Sequence, residues 1–191
     1  QIKPTLDLME TNFSVLKSPR VRNANGMIFN PLYSLSWMIF LYRISVLLYK
    51  AGEGTEADRI YYLNKIMHGI DWFYQVELPI HFMAEHPLGS VLGKAQYGDY
   101  LFVYQGTTVG GNRKGGVLYY PVLGNNVIMY ANSSIIGKSV IGNNVVVAAD
   151  TYIIDDIVPD NSIVFGKSPN LVVKQKDESK IKDLTTHIWR W

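Results

Sequence analysis

The chain has 191 residues, 48% of them hydrophobic, with 18 basic and 16 acidic side chains and a net charge of +2. That length and apolar content support one large or two small cores and exclude a disordered chain. The near balance of charge leaves no electrostatic footprint for nucleic acid, and the absence of cysteine removes disulfides, zinc–thiolate centres and a cysteine nucleophile.

Taken in order, the stretch from Gln1 to Asn30 predicts an irregular segment, because Asn23, Asn25, Gly26 and Asn30-Pro31 are turn and breaker signals. Lys17, Arg20 and Arg22 form a small basic cluster there, read as a solvated face rather than a phosphate site. The chain opens on Gln1 rather than Met, which leaves a leader untested. From Leu32 to Tyr49 the sequence is strongly apolar, but Arg43 stands in its middle and Ser34, Ser36 and Ser45 interrupt it. A membrane-spanning helix needs about 20 apolar residues without a central charge. The segment therefore predicts a helix over 32–50 buried against protein, with membrane association not expected. A second helix is expected over 55–69, with Thr55 as N-cap and Ile60, Leu63 and Ile66-Met67 at helical spacing before Gly69.

Beyond Gly69 the apolar period shortens to six. Val91, Tyr97, Val103 and Val109 fall in one register, and Leu123, Met129, Ile135, Ile141, Val147 and Ile153 in another. Four residues after each member of the second set stand Val127, Ser133, Ser139, Val145, Thr151 and Ile157, all small or β-branched. Gly and Asn fall between them, at Gly124, Asn125-Asn126, Gly137, Gly142 and Asn143-Asn144. Short strands separated by residues that accept a left-handed corner describe a solenoid, each rung pairing with the rungs above and below.

The hexads Leu-Gly-Asn-Asn-Val-Ile, Ile-Ile-Gly-Lys-Ser-Val and Ile-Gly-Asn-Asn-Val-Val resemble those of the hexapeptide-repeat acyltransferases. The more specific runs are Glu85-His86-Pro87-Leu88-Gly89, Val-Tyr-Gln-Gly-Thr-Thr-Val-Gly-Gly-Asn at 103–112 and Phe-Gly-Lys-Ser-Pro-Asn at 165–170. Within that superfamily the chain is similar to serine acetyltransferases and their relatives in bacterial surface-polysaccharide synthesis. The resemblance implies a mainly β fold, a left-handed parallel β-helix preceded by helices. The expected division is an N-terminal irregular segment and helical hairpin over 1–69, a β-helix over 70–173 with an inserted loop at 111–121, and a tail over 174–191. Ile181, Leu184, Ile188, Trp189 and Trp191 of that tail suit a docking helix.

The resemblance also implies an acetyl-CoA-dependent O-acetyltransferase with no metal, in which His86 is the general base and Glu85, in the family's aspartate position beside it, belongs to the catalytic set. The family's second carboxylate, fifteen residues before the histidine, falls on Asp71, whose carboxylate would fix the imidazole tautomer. Gly110, Gly111, Ala131, Ala149, Gly166 and Lys167 match the acetyl-CoA groove, and Glu85 with Tyr119 and Tyr120 the acceptor pocket. Where serine acetyltransferases carry Arg-His-Pro, this chain reads Tyr119-Tyr120-Pro121. The loss of a cation for a carboxylate favours an uncharged sugar hydroxyl of a glycan precursor as acceptor, because aromatic faces pack on sugar rings. Serine, as in cysteine biosynthesis, is the alternative, and a non-catalytic trimeric assembly protein is the reading of another class. A cytoplasmic homotrimer is expected, with a hexamer left open.

Overall fold

The computed structural model describes residues 1–191, and from Asp71 onward the chain coils through short strands that stack in three parallel ladders. The first face stacks Gln96–Tyr97, Val122–Leu123, Val140–Ile141 and Ile157–Val158. The second stacks Phe82–Ala84, Leu101–Val103, Val127–Met129, Val145–Val147 and the start of Ser162–Lys167. Asp71–Trp72, Val91–Leu92, Thr108–Gly110, Ser134–Ile136 and Tyr152–Ile154 make the third. This is the parallel β-helix that the six-residue period predicts.

The two sequence columns have separate physical jobs. Val103, Val109, Met129, Ile135, Val147 and Ile153 are completely buried and form the inward ladder, whose removal from water is the main stabilising term of such a stack. Val91, counted with them, is exposed instead, and Leu92 faces the core. Val91 pairs with Thr108, one residue short of the regular 18-residue step, so the register slips by one at that rung. In the other column the buried hydroxyls of Thr107, Ser133 and Ser139 donate to the carbonyls of Tyr104, Tyr130 and Ile136 at 2.7–2.9 Å. A small hydroxyl residue therefore turns each corner inward without leaving a buried polar group unpaired.

The corners between the first and second faces are closed by stacked glycines and asparagines. A methyl group on Gly124 would lie 2.7 Å from the Gly142 carbonyl carbon and oxygen, closer than carbon atoms pack. Beside it the Asn126 amide donates to Asn144 at 3.0 Å, and Asn144 to Asn161 at 2.9 Å, which joins successive rungs by side chains as well as backbone.

The helical portion differs from expectation at its start. Residues 2–14 are not irregular but form helix α1 (Ile2–Ser14), which buries Thr5, Met9, Asn12 and Phe13 along one side. That i, i+4, i+7, i+8 pattern is a helical face, and the turn signals begin only downstream of it. Helices α2 (Ser34–Lys50) and α3 (Gly54–His68) form the expected hairpin, with Glu53 rather than Thr55 as the α3 N-cap. Arg43, 7% exposed, reaches from α2 to the entrance of the coil, donating to the carbonyls of Pro79 at 2.5 Å and Ile80 at 3.0 Å and lying over the Phe82 ring at 4.8 Å. No helix is long and apolar enough to cross a membrane.

After Asn170–Gln175 pairs antiparallel with Ser162–Lys167, the tail forms helix α4 (Glu178–Thr185) and returns to the start of the molecule. There Arg190 N–H donates to Val15 at 2.7 Å, and Lys17 N–H to Ile188 at 3.0 Å. Trp189 is wholly buried against Phe102 and Tyr100, so the docking partner of the tail is this same chain, whereas Trp191 stays 52% exposed.

The corner stacking is directly testable. Gly124→Ala should lower stability by about 1–3 kcal/mol through overpacking, read as a shifted urea midpoint with an unchanged slope.

Candidate active site

The corner between the second and third faces is four residues long on the regular rungs, at 104–107, 130–133 and 148–151, but six long at 85–90. Each regular corner carries one left-handed residue, Gly106, Asn132 or Asp150, and Gly89 fills that place on the first rung. His86 adds a second left-handed residue, φ +50°, and its carbonyl accepts from Leu88 N–H at 2.8 Å to close a tight turn. A non-glycine residue held at positive φ costs on the order of 1–2 kcal/mol. The two extra residues push Glu85 and His86 out of the coil, and both are exposed.

They open onto a cleft of about 300 Å³ between the β-helix and the helical layer, lined also by Arg20, Tyr33 and the first turn of α2. Arg20 and Tyr33 are functional candidates that the sequence does not connect to His86. Glu85 makes itself felt on two phenols there. Burial first, then the Glu85 charge, pushes the Tyr104 phenol up to about 12; burial, followed by Arg20 in the opposite sense and by Glu85, leaves Tyr33 raised as well. Tyr104 stacks on Tyr130 of the next rung at 5.0 Å.

Asp71 begins the third face one rung below, opposite Val91. Its carboxylate is bound at 2.6 Å by Tyr61 and at 2.6 Å by Lys65, both from α3, and no hydrogen bond joins it to His86. Burial works against its charge, but the bonds from Lys65 and Tyr61 together prevail and hold the carboxyl below its usual range. The fifteen-residue offset that the resemblance carries onto Asp71 and His86 spans a first coil that the pairing of Asp71 with Val91 makes two positions longer than the regular 18-residue step. Of the other histidines, His68 alone shares the lining of the His86 cleft. His81 pairs with Asp99 at 2.6 Å, His68 bonds Asn64 at 2.7 Å with burial lowering its pKa, and His187 lies at a neighbouring cleft. No group of three or more His, Cys, Asp or Glu side chains could hold a metal ion.

The remaining candidates divide between two edges of the β-helix. Ala131 and Ala149 occupy successive corners of the edge that carries His86, joined by the Asp150 N–H to Ala131 bond at 2.9 Å, and Gly166 and Lys167 end that edge in Ser162–Lys167. Gly110 and Gly111 lie across the third face, where the chain leaves the coil as an exposed hairpin, Asn112–Lys114 paired with Val117–Tyr119 through Gly115-Gly116. The rung step across this insertion is 26 residues instead of 18. A methyl on Gly110 would meet nothing within 4 Å, whereas one on Gly111 would crowd Leu118 and Tyr120 at 3.0 Å. Tyr119 and Tyr120 end the hairpin with cations over their rings, Lys138 at 5.8 Å and Lys94 at 5.0 Å. Since a strand rises about 3.3 Å per residue, the edges of a three-residue face stand about 10 Å apart, and Tyr119 and Tyr120 do not line the His86 cleft.

Compared with known proteins, the chain is 29% identical over 122 residues to a serine acetyltransferase of Synechocystis, which covers 63% of this chain and 48% of that protein. It is 28% identical over 134 residues to a serine acetyltransferase of Helicobacter pylori, covering 69% and 77%. The crystal structure of Neisseria gonorrhoeae serine acetyltransferase in complex with serine superimposes with a TM-score of 0.69 at 26% identity, over 90% of this chain and 69% of that one. This chain is serine acetyltransferase-like in sequence and fold. No protein-family model matches it. The chain spans about half the length of the cyanobacterial relative.

The anchoring of Asp71 has a pH signature. Because its folded pKa is depressed, its contribution is present above the ordinary aspartate pKa of about 3.9 and is lost as pH falls through the folded value. Asp71→Asn should therefore lower the melting temperature at pH 6, with the difference from the native chain closing below about pH 4.

Proposed function

We propose that this chain transfers an acetyl group from acetyl-CoA to the hydroxyl of a small acceptor, with His86 as general base. The observation that carries this reading is the extended corner that lifts Glu85 and His86 out of an otherwise regular coil, at the mouth of an open cleft. His86 takes the proton of the acceptor hydroxyl as that oxygen attacks the thioester carbonyl. The tetrahedral centre then collapses with loss of the carbon–sulfur bond, and the imidazolium returns its proton to the departing thiolate. No side-chain nucleophile is needed, in keeping with a chain that has no cysteine. Asp71 is a positioning residue in this scheme: a carboxylate has about four acceptor sites, so its two α3 donors leave room for an imidazole N–H. A reaction drawing on acetyl-CoA is assigned to the cytoplasm.

For the acceptor, the relatives' names favour L-serine over the glycan hydroxyl that Tyr119-Tyr120 suggests. The lysines over both tyrosine rings weaken the case for a bare sugar platform. The glycan reading rests on the tyrosines alone. It is tested by offering L-serine and a panel of nucleotide sugars with acetyl-CoA; thiol release with L-serine only retires it.

The separation of the candidate residues onto two edges supports a trimer, in which the His86 edge of one copy meets the Gly110 edge of the next. Open space at Gly110 suits the approach of a pantetheine chain to the backbone. His86→Ala should cost about 10²–10⁴ in turnover with unchanged stability; a native rate refutes the mechanism. Gly110→Trp should raise the KM for acetyl-CoA while the fold persists. If sites form between copies, coexpressing the two variants and assaying at acetyl-CoA well below the raised KM should restore about one site in four in randomly mixed trimers. No recovery in a mixed assembly would place each site within one chain.

A further inference from the structure

Six arginines are present, and five have a carboxylate or carbonyl partner. Arg22 pairs with Glu10 at 2.7 Å, Arg43 with the carbonyls at 78–80, and Arg59 with Glu56 at 3.8 Å. Arg113 donates to the Gly116 carbonyl at 2.8 Å and Arg190 to the Leu16 carbonyl at 2.9 Å. Arg20 alone has neither a carboxylate nor a carbonyl partner; its guanidinium lies over the Tyr33 ring, 5.5 Å from the centroid, and lines the His86 cleft. Its backbone is nevertheless held. Val21 next to it is fully buried, Ile28 N–H donates to the Val21 carbonyl at 2.7 Å, and the hairpin of Arg22–Asn23 with Gly26–Met27 follows at once. A guanidinium lying on the Tyr33 ring, carried by held backbone and free of carboxylate and carbonyl partners, is available to an anion at the cleft.

The cleft is also polar in a particular sense. Arg20 is the one Lys or Arg among its lining residues and Glu85 the one carboxylate, and no ion pair joins them. The first turn of α2, which has no side-chain cap, contributes the positive end of its dipole on the Arg20 side. The cavity thus offers a separated cation and anion to a ligand beside the His86 and His68 imidazoles. A hydroxy-amino acid carries the matching pair, a carboxylate and an ammonium.

We infer that Arg20 receives the carboxylate of the acceptor, taking over from the N-terminal segment the charge that Tyr119-Tyr120 leaves out of the β-helix, while Glu85 faces the ammonium. This rests on the acetyltransferase reading with a serine-like acceptor, and makes Arg20 a specificity-determining residue. The guanidinium fork would bind the two carboxylate oxygens side by side.

The test compares the native chain with Arg20→Ala and Arg20→Lys, using acetyl-CoA with L-serine or with L-serinamide, in which the carboxylate is neutralised. Arg20→Ala should raise the KM for L-serine by about tenfold or more, with Arg20→Lys recovering part of the loss. The KM values for L-serinamide and acetyl-CoA and the melting temperature should hold. An unchanged KM for L-serine, or an equal loss with the amide, overturns the inference and leaves the acetyltransferase reading standing. Binding of L-serine by calorimetry separates the two ideas. A native chain that binds L-serine through Arg20 but turns over no acceptor retires the reaction and keeps the anion site. Absence of L-serine binding overturns the site, as does Arg20-dependent binding of UDP-N-acetylglucosamine instead, which would make the anion a phosphate.

Discussion

Everything in this molecule depends on how closely one rung can lie on the next. Parallel rungs share backbone hydrogen bonds only at about 4.7–4.9 Å spacing, and three corners per coil must turn without side chains in the way. Gly98, Gly124 and Gly142 meet that condition at one edge, where an added methyl would strike the backbone of the rung above at 2.3–2.7 Å. At the second edge a left-handed backbone at Gly106, Asn132 and Asp150 does so. With corners settled, the inward aliphatic positions stack automatically, since each is displaced by one coil from its neighbour.

The candidate chemistry is a local departure from that regularity. A four-residue corner leaves no freedom to project a side chain, whereas the six-residue corner at 85–90 carries Glu85 and His86 beyond the prism. Functional groups placed on a loop that a rigid scaffold aims are a general solution, and here the scaffold is the first rung. The hairpin over 112–119 is a second departure, on another edge. Regular rungs therefore serve as rulers that set how far apart the two irregularities stand.

The helical layer completes the geometry. Arg43 ties α2 to the carbonyls where the coil begins, Lys65 and Tyr61 hold Asp71, and the tail returns to bury Trp189 beside Leu16 and Phe102. These contacts bring the segment around Arg20 and Tyr33 over the His86 corner. A cleft of mixed polarity results from elements that lie far apart in the chain.

Periodicity alone determined the β-helix, since inward residues recur every six positions wherever three flat faces make one turn. Its change of register also located the insertion, whereas His86 stood out only through the resemblance carried by Glu85-His86-Pro87-Leu88-Gly89. Tertiary structure alone decided three things. A rung one position short of the 18-residue step turned Val91 outward and Leu92 inward, a slip too small for a six-residue count to register. A first coil two positions longer than the regular step brought Tyr61 and Lys65 of α3 onto the Asp71 carboxylate, which the resemblance implies as the partner of His86. And Arg20, one cation among several in a basic cluster, reached the His86 cleft only because the hairpin at 22–27 and the α2 entry fold across that corner. Repeats can be read because they encode contacts between neighbours at a fixed separation; the site joins residues whose separation in the chain follows no period.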